Sequence, residues 1–187
     1  MSPIKVGFVG LSTTGWAAKT LAPSLMQSSL RETYDIVAVS TSSEESAQKS
    51  ANKYSKDIGH PIKAYHGDTS KIASDPDVDL VAIAVKTPYH KQLVMPVIEA
   101  KKDFFLEWPA GASLEETKAI AEAAHRQGVR SIIGLQGRHS TALRKVSLNI
   151  LYTWIPNRFF LSQVKELLAS GIIGTVKSTN VVGSTSH

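Results

Sequence analysis

The chain has 187 residues, 42% hydrophobic and 20% charged, with no cysteine and a formal net charge of +5 at pH 7. That length suits one domain and part of a second. The composition excludes a disordered chain, and the missing thiols exclude disulfides and thiolate metal sites, which fits an intracellular protein better than a secreted one. Met1 to Lys5 lack the apolar core of a signal peptide, and no run is long and uninterrupted enough to span a membrane. The lysines (Lys49, Lys53, Lys56, Lys63, Lys86, Lys91, Lys101 and Lys102 among them) are spread along the chain rather than massed. They read as a solvated basic surface, compatible with an acidic protein partner. No DNA-reading module accompanies them, so direct nucleic-acid binding is not expected.

In chain order, Val6–Val9 is a short apolar run that predicts a buried strand, and Trp16-Ala17-Ala18 opens a helical pattern. Between them lies Gly10-Leu11-Ser12-Thr13-Thr14-Gly15. Such a turn aims free N–H groups and the positive helix end at an anion. It matches the dinucleotide fingerprint G-x-G-x-x-G except that Ser12 replaces the second glycine, narrowing the approach of a pyrophosphate while offering it a hydroxyl. Read alone, the stretch is either that site or a plain strand-to-helix turn. Trp16 either covers the turn or packs in the core.

Asp35–Ser40 predicts a second strand, Glu44–Ser55 a polar helix, and Val78–Val85 a third strand covered on both faces. His90–Ala100 resumes helical spacing and Phe104–Glu107 is a fourth strand. Ser113 with Glu116 forms a capping box for a helix that runs to Gln127 and stops at Gly128, before a fifth strand over Val129–Leu135. This alternation predicts an α/β fold, a Rossmann-type doubly wound parallel sheet with ligands at the carboxyl ends of its strands. Those ends carry Gly10–Gly15, Ser40–Ser43, Lys86–His90, Glu107–Pro109 and Gln136–Arg138.

The second strand ends in the hydroxyls of Ser40, Thr41 and Ser42, with no carboxylate for a ribose 2′-OH. Asp35 starts that strand, and Glu44 and Glu45 fall in the next helix. The hydroxyls accept a 2′-phosphate, so NADP is expected at least as readily as NAD, although no arginine nearby grips that phosphate; alternatively they form a capped turn. The six histidines (His60, His66, His90, His125, His139 and His187) show no ligand spacing, and no metal site is expected.

Gly7-Phe8-Val9-Gly10, Thr87-Pro88 followed by His90, Glu107-x-Pro109, Gly137-Arg138 and Val164-Lys165-Glu166-Leu167-Leu168-Ala169-Ser170-Gly171-Ile172-Ile173-Gly174 resemble the glucose-fructose oxidoreductase/inositol dehydrogenase/MocA (Gfo/Idh/MocA) family of NAD(P)-dependent enzymes. The resemblance implies that residues 1–138 form an NAD(P)-binding domain. Its cofactor-binding positions would be Gly10, Leu11, Ser12, Thr13, Thr14, Gly15, Trp16, Ser40, Thr41, Ser42, Lys86, Thr87, Pro88, His90, Glu107, Trp108 and Arg138. On the residues alone, His90 is equally a helix-start residue, and Arg138 contacts cofactor or partner or forms a structural ion pair.

One departure bears on activity. Where the family has Glu-Lys-Pro, this chain has Glu107-Trp108-Pro109. The resemblance gives that lysine the substrate hydroxyl and the proton transfer. An indole does not titrate near neutrality and cannot do acid–base work, so no catalytic residue is assigned. Either the acid–base group is elsewhere, or the chain is not an enzyme.

Phe105-Leu106-Glu107-Trp108, Ser113-Leu114, Ser131–Arg138, Val94-Met95-Pro96 and Gly15-Trp16 with Lys19 are similar to a narrower group, the fungal galactose/lactose metabolism regulatory proteins. Thr87-Pro88 is nearer the enzymes. The regulatory resemblance implies NAD or NADP as cofactor, a homo-oligomer in the full-length parent, and as partner the acidic activation region of a transcription activator.

Residues 139–187 are expected to be a linking helix and the first strand (Thr175–Val182) of a truncated α+β second domain, which makes the chain a fragment. Val146–Gln163 interrupts the resemblance, and Pro156 within it would break a helix that otherwise runs continuously from Ser140 to Ser170. Val146-Ser147 can be encoded by GTAAGT, Pro156-Asn157 by CCTAAC, and Gln163 by CAG. These are a splice donor, branch sequence and acceptor, so the stretch is expected to be a translated intron, the alternative being a dimer or lid insertion.

Overall fold

The computed structural model describes residues 2–135 and Ser170. Six parallel strands form one sheet in the order β3-β2-β1-β4-β5-β6. β1 (Ile4–Val9) is followed by α1 (Trp16–Leu25), a one-turn helix α2 (Ser28–Arg31) and β2 (Tyr34–Thr41). Then come α3 (Glu44–Ile58), β3 (Lys63–His66), the short α4 (Ser70–Ala73) and β4 (Leu80–Ile83). α5 (His90–Glu99), β5 (Asp103–Glu107), α6 (Leu114–Gln127) and β6 (Ser131–Gly134) complete the unit.

β1 lies at the centre because its residues are apolar on both faces. Phe8 and Val6 pack with Ala17, Ala51, Tyr54 and Ile58 from α1 and α3. Val9 belongs to the opposite core, with Ile72, Val94, Val97, Ile98, Ile120 and Ala124 from α4, α5 and α6. Gly7 faces this second layer, where a Cβ would stand 3.0 Å from Val78 and 3.1 Å from Ile72, so its bare backbone lets the approach to β4 close down. Each fully buried aromatic or aliphatic side chain in these layers stabilises the fold by about 1.5–3 kcal/mol.

The helices begin and end where local chemistry directs. Ser43 caps α3 by accepting from Ser46 N–H at 3.3 Å, with Glu44 and Glu45 in the first turn. Ser113 caps α6 by accepting from Glu116 N–H at 3.2 Å, and Gly128 at φ +68° ends it in the left-handed conformation expected of a glycine stop. The capping box differs from expectation in its return arm. The Glu116 carboxylate accepts from Ala112 N–H at 2.9 Å, one residue before the cap, because the Gly111-Ala112 turn brings that N–H into reach.

Two further corrections concern the sheet. It has six strands where the sequence predicts five; Lys63–His66 is the addition, an edge strand paired on one side only, with β2. The strand expected over Val78–Val85 shortens to Leu80–Ile83, because Asp79 N–H turns to Lys5 O and the chain leaves the ladder after Ala84 N–H meets Val9 O. The expectations for Gln136–Arg138, the 146–163 segment and the second domain lie outside the described residues.

Behind β4 a compact polar lock ties its entry to the edge strand. Asp75, buried after α4, accepts from Lys63 Nζ on both oxygens at 2.9 Å, from Tyr65 O–H at 2.9 Å and from Asp77 N–H at 2.9 Å. Burial alone pushes the Asp75 carboxyl up; Lys63, the Asp77 N–H and Tyr65 together outweigh it and hold it below the ordinary carboxylate range.

Candidate functional site

In an open parallel sheet, ligands bind outside the carboxyl ends of the strands where the strand order reverses. Here that point lies between β1 and β4. The loops leaving β1, β2 and β4 meet there: Gly10 N–H donates to Ser40 O at 2.8 Å and Ala84 N–H to Val9 O at 3.0 Å. Gly10 has φ +89°, and a Cβ on it would overlap the Ala84 carbonyl oxygen and stand 2.7 Å from Val85 Cγ1. The first residue of the fingerprint is thus held to glycine by conformation and by space.

Ser12, the residue that departs from the fingerprint, is the best-anchored part of the turn. Its N–H donates to Gly10 O at 3.1 Å, its Oγ accepts from Gly15 N–H at 2.9 Å, and its carbonyl accepts from Tyr54 O–H at 3.1 Å. The hydroxyl therefore occupies one of the unpaired N–H groups at the start of α1 and keeps its own proton to donate. Tyr54 reaches up from α3 while its ring is fully buried, and that burial, with Asp57 nearby, pushes its phenol up from the usual value.

The other expected positions fall around this turn with different exposures. Leu11 is fully buried, so only its backbone faces the crevice; Thr13 is half-buried and Thr14 exposed. Trp16, at the first position of α1, is 55% exposed, which removes it from the core. Ser40 is buried and its Oγ has no hydrogen-bond partner among the described residues. Thr41 donates to Ser43 O at 3.1 Å, forming a capped turn that leaves Ser42 at the surface. Asp35, the second residue of β2, lies opposite Lys5 and pairs with His60 at 2.7 Å, at the other end of the sheet from the turn.

Lys86 precedes a 3-10 turn over Thr87–Tyr89 in which Pro88 and Tyr89 are exposed. The fourth lip follows β5: Glu107 is half-buried beside Gly134, whose missing side chain leaves room for the carboxylate, and Trp108, 60% exposed, joins Pro109 by a cis peptide bond. His90, expected in the crevice, is instead fully buried beneath it, with Nδ1 2.9 Å from Pro109 O and Nε2 3.0 Å from Val85 O. Tyr54 was not expected at this site. Its position 42 residues from Ser12 gives no spacing signal. Arg138 lies outside the described residues. Among the described residues no cluster of His, Asp or Glu suits a metal ion.

The family described as an oxidoreductase family with an NAD-binding Rossmann fold matches residues 4–135. Dehydrogenase aclE of Aspergillus oryzae is 34% identical over 187 aligned residues, covering 96% of this chain and 43% of its own length. The galactose/lactose metabolism regulatory protein GAL80 of Saccharomyces cerevisiae is 30% identical over 192 residues, covering 98% of this chain and 38% of its own. Among solved structures, a super-repressor mutant of Gal80p from S. cerevisiae superposes with a TM-score of 0.67 at 29% identity, over 92% of this chain and 40% of that one. The chain spans less than half the length of these relatives. By the match over the whole described sheet, the chain belongs to the Gfo/Idh/MocA oxidoreductase family, with its NAD-binding Rossmann fold.

Proposed function

We propose that this chain binds NAD or NADP with the pyrophosphate over Gly10–Gly15 and serves as an oxidoreductase-like regulator that presents the occupied crevice to a protein partner. The observation that carries the dinucleotide is the Gly10–Ser12–Tyr54 arrangement at the β1–β4 reversal, a rigid turn with the N-terminus of α1 behind it. The 2′ end of the nucleotide falls at Thr41-Ser42, where no carboxylate opposes a 2′-phosphate.

The regulatory part rests on Trp108. By the family resemblance, an exposed indole stands where the enzymes carry their acid–base lysine, and loss of such a group removes about 10²–10⁴-fold of rate. With Trp16 at the start of α1 and Tyr89 in the 3-10 turn after β4, it gives three large exposed aromatics beyond the ends of β1, β4 and β5. Large aromatics in such places serve protein recognition well. The basic balance of the chain suits an acidic partner segment, of the kind the regulatory resemblance implies.

The similarity to dehydrogenase aclE favours a second reading, an NAD(P)-dependent oxidoreductase of a sugar or polyol whose acid–base group lies outside the described residues. Calorimetric titration with NADP and NAD, followed by a polyol and sugar panel on the complete protein and on Trp108→Lys, separates the two. Saturable binding with no turnover, and turnover gained only in Trp108→Lys, is the outcome expected. Robust turnover by the unmodified protein supports the dehydrogenase, and absence of binding removes both readings.

A further inference from the structure

Thr41 and His66 form the last pair of the β2–β3 ladder, level with each other at the carboxyl ends of the two strands. Gly67 N–H, in the turn that follows, donates to Thr41 O at 3.1 Å and fixes that level. Paired residues of neighbouring strands face the same way. Val39 and Ala64, the pair two residues earlier, pack in the layer with α1 and α3. Thr41 and His66 therefore lie on that face, the one from which α1 turns its N-terminus to the phosphate turn. His66 is exposed, and among the described residues its ring makes no hydrogen bond or ion pair.

The other groups at this corner leave an anion short of donors. Thr41 spends its one hydroxyl proton on Ser43 O at 3.1 Å, and Ser40 is buried. Glu44 and Glu45 open α3 with carboxylates that accept from ribose hydroxyls and repel a phosphate. Asp68, two residues beyond His66, is turned to the start of α4, its Oδ1 accepting from Ser70 N–H at 2.7 Å. A phosphate here needs a nitrogen donor facing it, and an imidazole offers an N–H in either protonation state.

We propose that His66 sets the choice of dinucleotide: its ring N–H donates to the 2′-phosphate, with the exposed Ser42 hydroxyl as a second donor, so that the chain takes NADP in preference to NAD. This rests on the dinucleotide reading above, which brings the 2′ end to Thr41-Ser42. The bond goes to a group that NAD lacks. His66 therefore acts on one nucleotide and is indifferent to the other, which separates it from a residue that merely supports the crevice.

The test titrates the full chain with NADP and with NAD by calorimetry. NADP is expected to bind about 10-fold more tightly, the worth of one hydrogen bond to a charged group. His66→Ala is expected to remove about that factor from NADP while the NAD affinity stays put. His66→Gln, which keeps a donor, restores part of the preference, and His66→Glu weakens NADP further than His66→Ala does. In the unmodified chain labelled with ¹⁵N-histidine, the His66 ring nitrogens, assigned by their loss in His66→Gln, are expected to move on saturation with NADP and to stay fixed with NAD. Those of His60, paired with Asp35 at the far end of the sheet, stay fixed with both.

NAD binding as tightly as NADP overturns the proposal and gives the ribose to Glu44 or Glu45. Equal losses of both nucleotides in His66→Ala overturn it as well, because they mark a structural role. So do His66 nitrogens that do not respond to saturating NADP, whatever the variants do. No heat of binding with either nucleotide overturns the dinucleotide reading and the specificity with it, whereas binding of both without these differences overturns the specificity alone.

Discussion

At φ +89°, with the Ala84 carbonyl where a Cβ would stand, Gly10 is closed to every other residue. Gly10→Ala is expected to lower stability by at least about 1–3 kcal/mol, the cost of a side chain in such backbone, and to abolish NADP binding; urea unfolding and calorimetry read the two effects. Tyr54→Phe is gentler. It removes the bond to Ser12 O and leaves the packing, so a loss of about 0.5–1.5 kcal/mol is expected, with weaker dinucleotide binding because the turn is less fixed. A nucleotide affinity equal to the unmodified protein's would remove Tyr54 from the site. Gly10, Ser12 and Gly15 are legible in the sequence because one local motif contains them. Tyr54 and the buried placement of His90 are not, because both depend on contacts made only after the layers assemble.

At the scale of elements, the lock around Asp75 sets an acid limb to stability. Its carboxyl is held below the ordinary range in the folded state, so the unfolded chain binds the proton more readily. The stabilisation is fully present above the unfolded value near pH 4 and is lost as pH falls through the lower folded value. Asp75→Asn is expected to cost about 1.5–3 kcal/mol at pH 7, the range for bonds to a charged group, and to flatten the decline below about pH 4; denaturant midpoints from pH 2 to 7 would show it. An acid limb unchanged in the variant would place its origin elsewhere. The elements themselves were unevenly readable. β1, β2, β4, β5 and β6 announce themselves as apolar runs. β3 reads Lys63-Ala64-Tyr65-His66, polar at both ends and unprotected on its outer side, so no hydrophobic pattern marks it. α2 and α4 have four residues each, too few for a helical period.

For the molecule as a whole, a ligand that binds only the folded chain raises its stability by mass action. NADP at one hundred times its dissociation constant should add about 2.7 kcal/mol and raise the melting temperature by about 5–11 °C, measured by scanning calorimetry with and without nucleotide. No shift for either NADP or NAD would argue against the crevice as a working site. The global architecture was the most legible level, because strand–helix alternation limits the topology to a few right-handed crossovers. Fine placement at the crevice mouth was the least legible. The sequence leaves Trp16 open between turn and core, and its exposure takes it out of the core.

The strand order also has a consequence for how the protein is made. β1 emerges first from the ribosome, yet it ends at the centre of the sheet, between β2 and β4. Its first flank is available once Thr41 has been synthesised, and its second only with Ile83. Over the intervening stretch of translation, one side of an apolar strand has no partner. β5 and then β6 add outward in the order of synthesis, each finding a finished edge. The polypeptide therefore grows its sheet from the middle, and until Ile83 is made the nascent chain carries an apolar strand with an open flank, a surface that favours aggregation.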